Sequence, residues 1–185
     1  MAAEQSTVIA KPEVLLLDLD ALAGSHLPVL REHYQVILGH SVVAAAEYLR
    51  RAPSTCDFII SDIRREAEAT FGLFRTAKSL VPRPTILITT ADAERVPDAL
   101  ISGADAVLLK PFPPNLLFSR LGRLKQQRDA RKHSTTAASV DDAVHIHCPH
   151  CNAAGAVTFD FVSYRRAWHA CLACKKVWIA KCVDR

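Results

Sequence analysis

Three aspartates, two threonines and one lysine stand at the ends of short apolar runs. Asp18 and Asp20 follow residues 14–17, and Asp62 follows 58–60. Thr89 and Thr90 end the run that begins at 85, and Lys110, itself followed by Pro111, comes after 106–109. Two or three carboxylates brought to one point would hold a hard cation such as Mg2+. A lysine and a hydroxyl bind phosphoryl oxygens. Together these groups are the equipment for transferring a phosphoryl group onto a carboxylate. Any one of them alone would be an ordinary loop residue. Their joint recurrence at successive run ends carries the reading.

A second constellation lies near the end of the chain. Cys148 and Cys151 form one C-x-x-C pair, Cys171 and Cys174 another, with 19 residues between the pairs. That spacing fits a tetrahedral site for Zn2+ made of four thiolates. Each pair supplies two ligands from one tight turn. A redox motif would need only one pair. Four protein ligands leave no open position, so a structural ion is expected. Cys56 and Cys182 read as ordinary buried thiols. His145, His147, His150 and His169 could substitute as ligands, and the favoured reading is surface residues.

The elements that must position these groups follow from texture. Five apolar runs (14–17, 34–38, 58–60, 85–89 and 106–109) alternate with helix-compatible stretches (21–33, 41–51, 71–80, 95–102 and 115–128). Strand–helix alternation predicts an α/β fold with a doubly wound parallel sheet. Continuous apolar runs suit strands covered on both faces. Ser41 is placed to cap the second helix, and Asn115, after Pro113-Pro114, the last. In such folds the working residues gather at the carboxyl ends of the strands, where the strand order reverses.

At this point the chain resembles the receiver domain of two-component response regulators, a flavodoxin-like fold with strand order 2-1-3-4-5. The matching segments are V-L-L-L-D-L-D (14–20), D-F-I-I-S-D (57–62), I-L-I-T-T-A (86–91) and G-A-D-A-V-L-L-K-P-F (103–112). The resemblance implies that Asp62 is the phosphoacceptor and Thr90 the switch hydroxyl. It further implies that Lys110 binds a phosphoryl oxygen. Mg2+ would be held by Asp18 and Asp62 with the backbone carbonyl of Arg64, and Asp20 is a further candidate ligand. A sensor histidine kinase is the implied partner.

Three departures stand out. Leu19 separates Asp18 from Asp20 and falls where the direct metal ligand usually stands. The loop after Asp62 lacks the usual proline, carries Arg64 and Arg65, and brings its glycine late, at Gly72. Val107 replaces the aromatic residue that commonly turns with the switch hydroxyl.

The expected organisation is a receiver domain over 11–128, a linker over 129–144 that can continue the last receiver helix for a turn or two, and, over 145–185, a module that resembles a zinc ribbon. In the module, alternation at Val157, Phe159 and Phe161 and at 177–179 suits short antiparallel strands. Asn152 and Lys175 stand where such cysteine knuckles often carry glycine. A module of this size has too small a core to fold unaided, so metal would stabilise it outright.

Bulk properties agree. The chain has 185 residues, half of them apolar, and a net charge of +4. Residues 1–114 carry net −3 and residues 115–185 net +7, which suggests modules with different partners. No apolar run reaches the ~18 residues of a membrane helix, and the first 12 lack a signal-peptide core, so a cytoplasmic protein without membrane contact is expected. Arg165, Arg166, Lys175, Lys176 and Lys181 lie near Tyr164, Trp168 and Trp178, a set suited to a DNA backbone or to a protein target. Arg120, Arg123, Lys125 and Arg128 on the last helix suggest a basic face for a partner or a homodimer. No nucleophile–base pair and no open metal position are evident, so an enzyme is not expected. Two readings stand: a phosphorylated switch signalling through the ribbon, and a phosphorylation-independent adaptor whose ribbon docks protein or DNA.

Overall fold

The computed structural model describes residues 11–17, 26–52, 54–63, 67–133, 146–163 and 166–181, with backbone alone at 131–133, 160–163, 166 and 181. Five strands, β1 (Glu13–Leu17), β2 (Gln35–Gly39), β3 (Cys56–Asp62), β4 (Thr85–Thr90) and β5 (Ala106–Leu109), form a parallel sheet in the order β2-β1-β3-β4-β5. Helices α1 (His26–His33) and α5 (Pro114–His133) cover one face. Helices α2 (Val42–Arg51), α3 (Ala67–Lys78) and α4 (Val96–Ser102) cover the other.

The strands alternate as the pleat requires. Leu15, Leu17, Ile59, Ile86, Ile88 and Val107 enter one core cluster, while Val14, Leu16, Phe58, Ile60, Leu87 and Leu108 enter the other. Burial on both sides explains why the strands read as unbroken apolar runs.

Local signals were mostly sound. Ser41 caps α2, its Oγ accepting from the Ala44 N–H at 3.1 Å. Helix α3 starts earlier than the sequence suggests, at Ala67, because Ala67, Thr70, Phe71 and Phe74 already share a buried face at helical spacing. Helix α5 opens on Pro114, whose fixed φ and missing N–H suit a first helical position. Asn115 therefore sits inside the first turn and is not the cap. The helix runs on to His133, continuing for about a turn into the linker segment, as that segment's reading allowed. Residues 134–145 lie outside the described residues.

Gly103 ends α4 with φ +119°. A Cβ there would lie 3.1 Å from Lys78 Cδ. The positive φ is the main obstacle to any other residue, since the lysine chain can move aside. Gly103→Ala is expected to lower stability by about 1–2 kcal/mol in chemical denaturation. An unchanged midpoint would show that the backbone relaxes freely at this position.

Helix α5 is tied to the sheet at Arg128. Its Nη1 donates to the Asp57 carbonyl at 2.9 Å and its Nη2 to the Asp57 carboxylate. The other carboxylate oxygen of Asp57 accepts from the Glu13 N–H at 2.8 Å. The guanidinium also lies 5.6 Å from the Phe58 ring centre.

Beyond the helix, β6 (Val157–Ser163), β7 (Arg166–Ala170) and β8 (Val177–Lys181) form a small antiparallel sheet. It rests on the receiver-like body. Strand β6 lies against β5, the edge strand of the large sheet. Phe159 and Ala170, 3% and 0% exposed, belong to the same buried cluster as Val107. Arg120 Nη2 donates to the Phe159 carbonyl at 3.3 Å, and Lys175 Nζ pairs with Asp98 at 2.8 Å. So Arg120 and Arg128, two of the four cations expected on a basic outer face of α5, are used inside the molecule.

Candidate functional site

The carboxyl ends of β3, β4 and β5 bring three of the expected residues together. Asp62 ends β3, Thr90 ends β4, and Lys110 follows β5 directly. The strands are held in step there: the Ile63 N–H donates to the Thr89 carbonyl at 3.1 Å, and the Lys110 N–H to the Thr90 carbonyl at 2.8 Å. The Asp62 side chain is only 3% exposed, and Lys110 Nζ pairs with its Oδ2 at 2.7 Å. The Lys110–Pro111 peptide is cis. Asp62 and Lys110 line an open cavity of about 470 Å3 with Ile63, Ala91, Asp92 and Arg95.

The two threonines divide their roles. Thr89 is the register partner of Asp62 across the β3–β4 ladder, and its Oγ1 lies 3.5 Å from Asp62 Oδ1. Thr90 faces the following turn: its Oγ1 accepts from the Asp92 N–H at 3.0 Å. Asp92 in turn caps the 3-10 turn Ala93–Arg95 through Glu94 N at 3.0 Å, and accepts from Arg95 Nε at 3.2 Å. Sequence reasoning passed over Asp92 and Arg95. The signal was present as an aspartate two residues after the threonine, a spacing that favours a side-chain-closed turn. Asp18, Asp20, Arg64 and Arg65 lie outside the described residues.

The four cysteines of the C-terminal module converge. Their sulfurs all lie within 4.8 Å of one another, with Cys148 to Cys174 at 3.6 Å and Cys151 to Cys171 at 3.7 Å. A tetrahedral thiolate site with metal–sulfur bonds of about 2.3 Å needs sulfurs roughly 3.8 Å apart. The cluster thus has the size and donor set to hold a metal ion. Backbone N–H groups complete it: Cys174 N points at Cys171 Sγ at 3.5 Å and His150 N at Cys148 Sγ at 3.4 Å. The Cys174 N–H, with that of Ala173, lowers the Cys171 thiol to about 7, while Cys151, despite a backbone hydrogen bond at Ala153, is raised to about 12 by the Cys174 and Cys171 thiols.

The residue after each C-x-x-C pair adopts positive φ, Asn152 at 57° and Lys175 at 60°. This is the conformation for which such turns favour glycine. Asn reaches it at little cost, whereas lysine does so with more strain.

His169 departs from expectation. It is buried, 4% exposed, not a surface residue. Its position on the middle strand turns it inward, where Nδ1 lies 3.0 Å from Thr158 Oγ1 and the ring stacks on Trp178. His147 and His150 are exposed as expected, and His145 lies outside the described residues. Cys56 is buried with its thiol pushed up to about 12 by burial, and Cys182 lies outside the described residues.

Among the described residues no helix is long and apolar enough to cross a membrane. No family model matches the chain, and no curated protein matches it. Solved structures do. The chain is similar to a response regulator of Thermotoga maritima, at 22% identity and TM-score 0.53, over 63% of this chain and 98% of that one. It is similar to a response regulator receiver domain protein of Methanospirillum hungatei, at 23% identity and TM-score 0.55, over 66% and 99%. It is also similar to a receiver domain protein of Clostridium thermocellum, at 17% identity and TM-score 0.56, over 66% and 99%. The large parallel sheet with its five helices therefore has the fold of a response regulator receiver domain, and it carries on its edge strand a small antiparallel module that gathers four cysteines.

Proposed function

We propose that this chain is a phosphorelay response regulator that accepts a phosphoryl group on Asp62 and signals through a zinc-ribbon module. The observation that carries the reading is the Asp62–Lys110 pair at 2.7 Å, set in an open cavity at the carboxyl ends of the strands. An Asp62 carboxylate oxygen attacks phosphorus. The bond from phosphorus to the donor's nitrogen breaks, and its electron pair leaves on that histidine ring of a sensor kinase. Lys110 then turns from the carboxylate to a phosphoryl oxygen. The hydroxyl of Thr90, tied to Asp92 in the unmodified state, is the nearby switch group. Mg2+ held by Asp62 with Asp18, Asp20 and the Arg64 carbonyl would neutralise phosphoryl charge. The protein works as a switch that keeps its phosphoryl group, not as an enzyme releasing an altered substrate.

Zn2+ fits the Cys148, Cys151, Cys171 and Cys174 set, with a structural role. For output, docking to a protein is favoured over DNA. Trp168 packs against the core cluster shared with the receiver, and Lys175 is paired with Asp98. Both would otherwise belong to a nucleic-acid surface.

The test is intact mass after incubation with Mg2+ and acetyl phosphate. One added phosphoryl group on the wild type, absent from Asp62→Ala, is the expected result. No adduct at high Mg2+ would overturn the switch and leave the receiver-like adaptor as the reading.

A further inference from the structure

Arg95 ends the 3-10 turn before α4, and it lines the same cavity as Asp62 and Lys110. Among the described residues that line this cavity, two carboxylates face two cations. Asp62 is paired with Lys110, and Asp92 with Arg95. An acyl phosphate on Asp62 would carry up to two negative charges where the carboxylate carried one. Lys110 is a single point charge and already serves the carboxylate. Arg95 is the other cation among the described residues that line the cavity.

Its chemistry suits the task. A guanidinium offers planar, forked donors that match phosphoryl oxygens. Its side chain is 42% exposed and its partner Asp92 50%, so the ground-state pair is weak and easily exchanged. The pairing is also local: Arg95 Nε reaches Asp92 at 3.2 Å from within the same turn. Asp92 keeps its backbone hold on Thr90 whichever way the guanidinium turns.

We propose that Arg95 is a ligand of the phosphoryl group on Asp62, exchanging the Asp92 carboxylate for phosphoryl oxygens. The inference rests on Asp62 being the acceptor, and it adds a residue of this chain that the resemblance to receivers does not supply. It also gives the modified site a handle on α4. Asp98, one turn beyond Arg95, is the residue that pairs with Lys175 of the cysteine module.

The test uses beryllofluoride with Mg2+ as the phosphoryl mimic. Binding to the full chain is titrated by fluorine NMR for wild type, Asp62→Ala, Arg95→Ala and Arg95→Lys, with thermal midpoints recorded for each. The wild type should bind and Asp62→Ala should not. Arg95→Ala should bind about five- to tenfold more weakly, the loss being limited by solvent screening at an exposed side chain. Arg95→Lys should recover part of it at an unchanged midpoint. Wild-type affinity in Arg95→Ala would overturn the inference while leaving Asp62 as acceptor. A loss that lysine does not recover, accompanied by a lowered midpoint, would make Arg95 a structural residue and overturn it too. A wild type that binds no better than Asp62→Ala would remove the acceptor reading and this inference with it.

Discussion

Removing metal from the cysteine cluster is expected to unfold β6–β8 and to weaken the receiver as well. The module has too little core of its own to be stable without a staple. Structural zinc supplies on the order of 10–16 kcal/mol in comparable small sites, so its loss outweighs the other contacts of the module. The effect does not stop there. Phe159 and Ala170 sit in the buried cluster that includes Val107 of the edge strand. Unfolding the module would expose that part of the cluster to water and leave β5 an uncovered edge.

The measurement is a chelator titration followed by fluorescence, since both tryptophans, Trp168 and Trp178, belong to the module. Thiol labelling separates the levels of damage. The four cluster cysteines should label as metal leaves. Cys56, buried with its thiol pushed up to about 12, should label only when the receiver itself opens. Acidification should release metal in the same sense, because the ligands bind as thiolates and protons compete for them. Fluorescence and labelling unmoved by chelator would show that the module stands without an ion.

Lys110→Ala is expected to produce the second largest effect, and on two readouts of opposite kind. Phosphorylation of Asp62 by acetyl phosphate should slow by about 10²–10³-fold, the usual cost of deleting one preorganised charge at a reacting centre. Stability should also fall, by about 1–3 kcal/mol, because the Asp62 carboxylate, 3% exposed, loses one of its partners, the Lys110 ammonium at 2.7 Å. The double variant Lys110→Ala with Asp62→Asn separates these. Neutralising the buried carboxylate should restore the thermal midpoint without restoring phosphorylation. A single variant that is phosphorylated at the wild-type rate would show that Lys110 only neutralises the resting carboxylate.

Much of this protein was legible in the residues because it is local. Alternating strand and helix textures, the polar residue after four of the five apolar runs, the Ser41 cap and the two C-x-x-C pairs all depend on neighbours within a turn or two. Each therefore leaves a short-range pattern. The glycine at 103 was legible as a motif, and the structure supplies its reason in a backbone conformation of φ +119°. The sheet order and the gathering of Asp62, Thr90 and Lys110 followed from topology, since parallel strands deliver their carboxyl ends to one edge.

What only the tertiary structure decided rests on pairs far apart in sequence. That the edge strand β5 is covered by the cysteine module depends on Phe159 and Ala170 entering the buried cluster of Val107, with Arg120 reaching the Phe159 carbonyl. That Arg128 points inward depends on Asp57, 71 residues away. His169 became a core residue because the middle strand turns it against Thr158 and Trp178, and charge or polarity alone does not reveal that choice. The division of Thr89 and Thr90, and the place of Arg95 on the acceptor cavity, follow from how one strand end meets the next turn. The sequence by itself determined which groups are present and at which strand ends. The fold decided which of them face one another, because that choice is made by long-range packing and leaves no periodic trace along the chain.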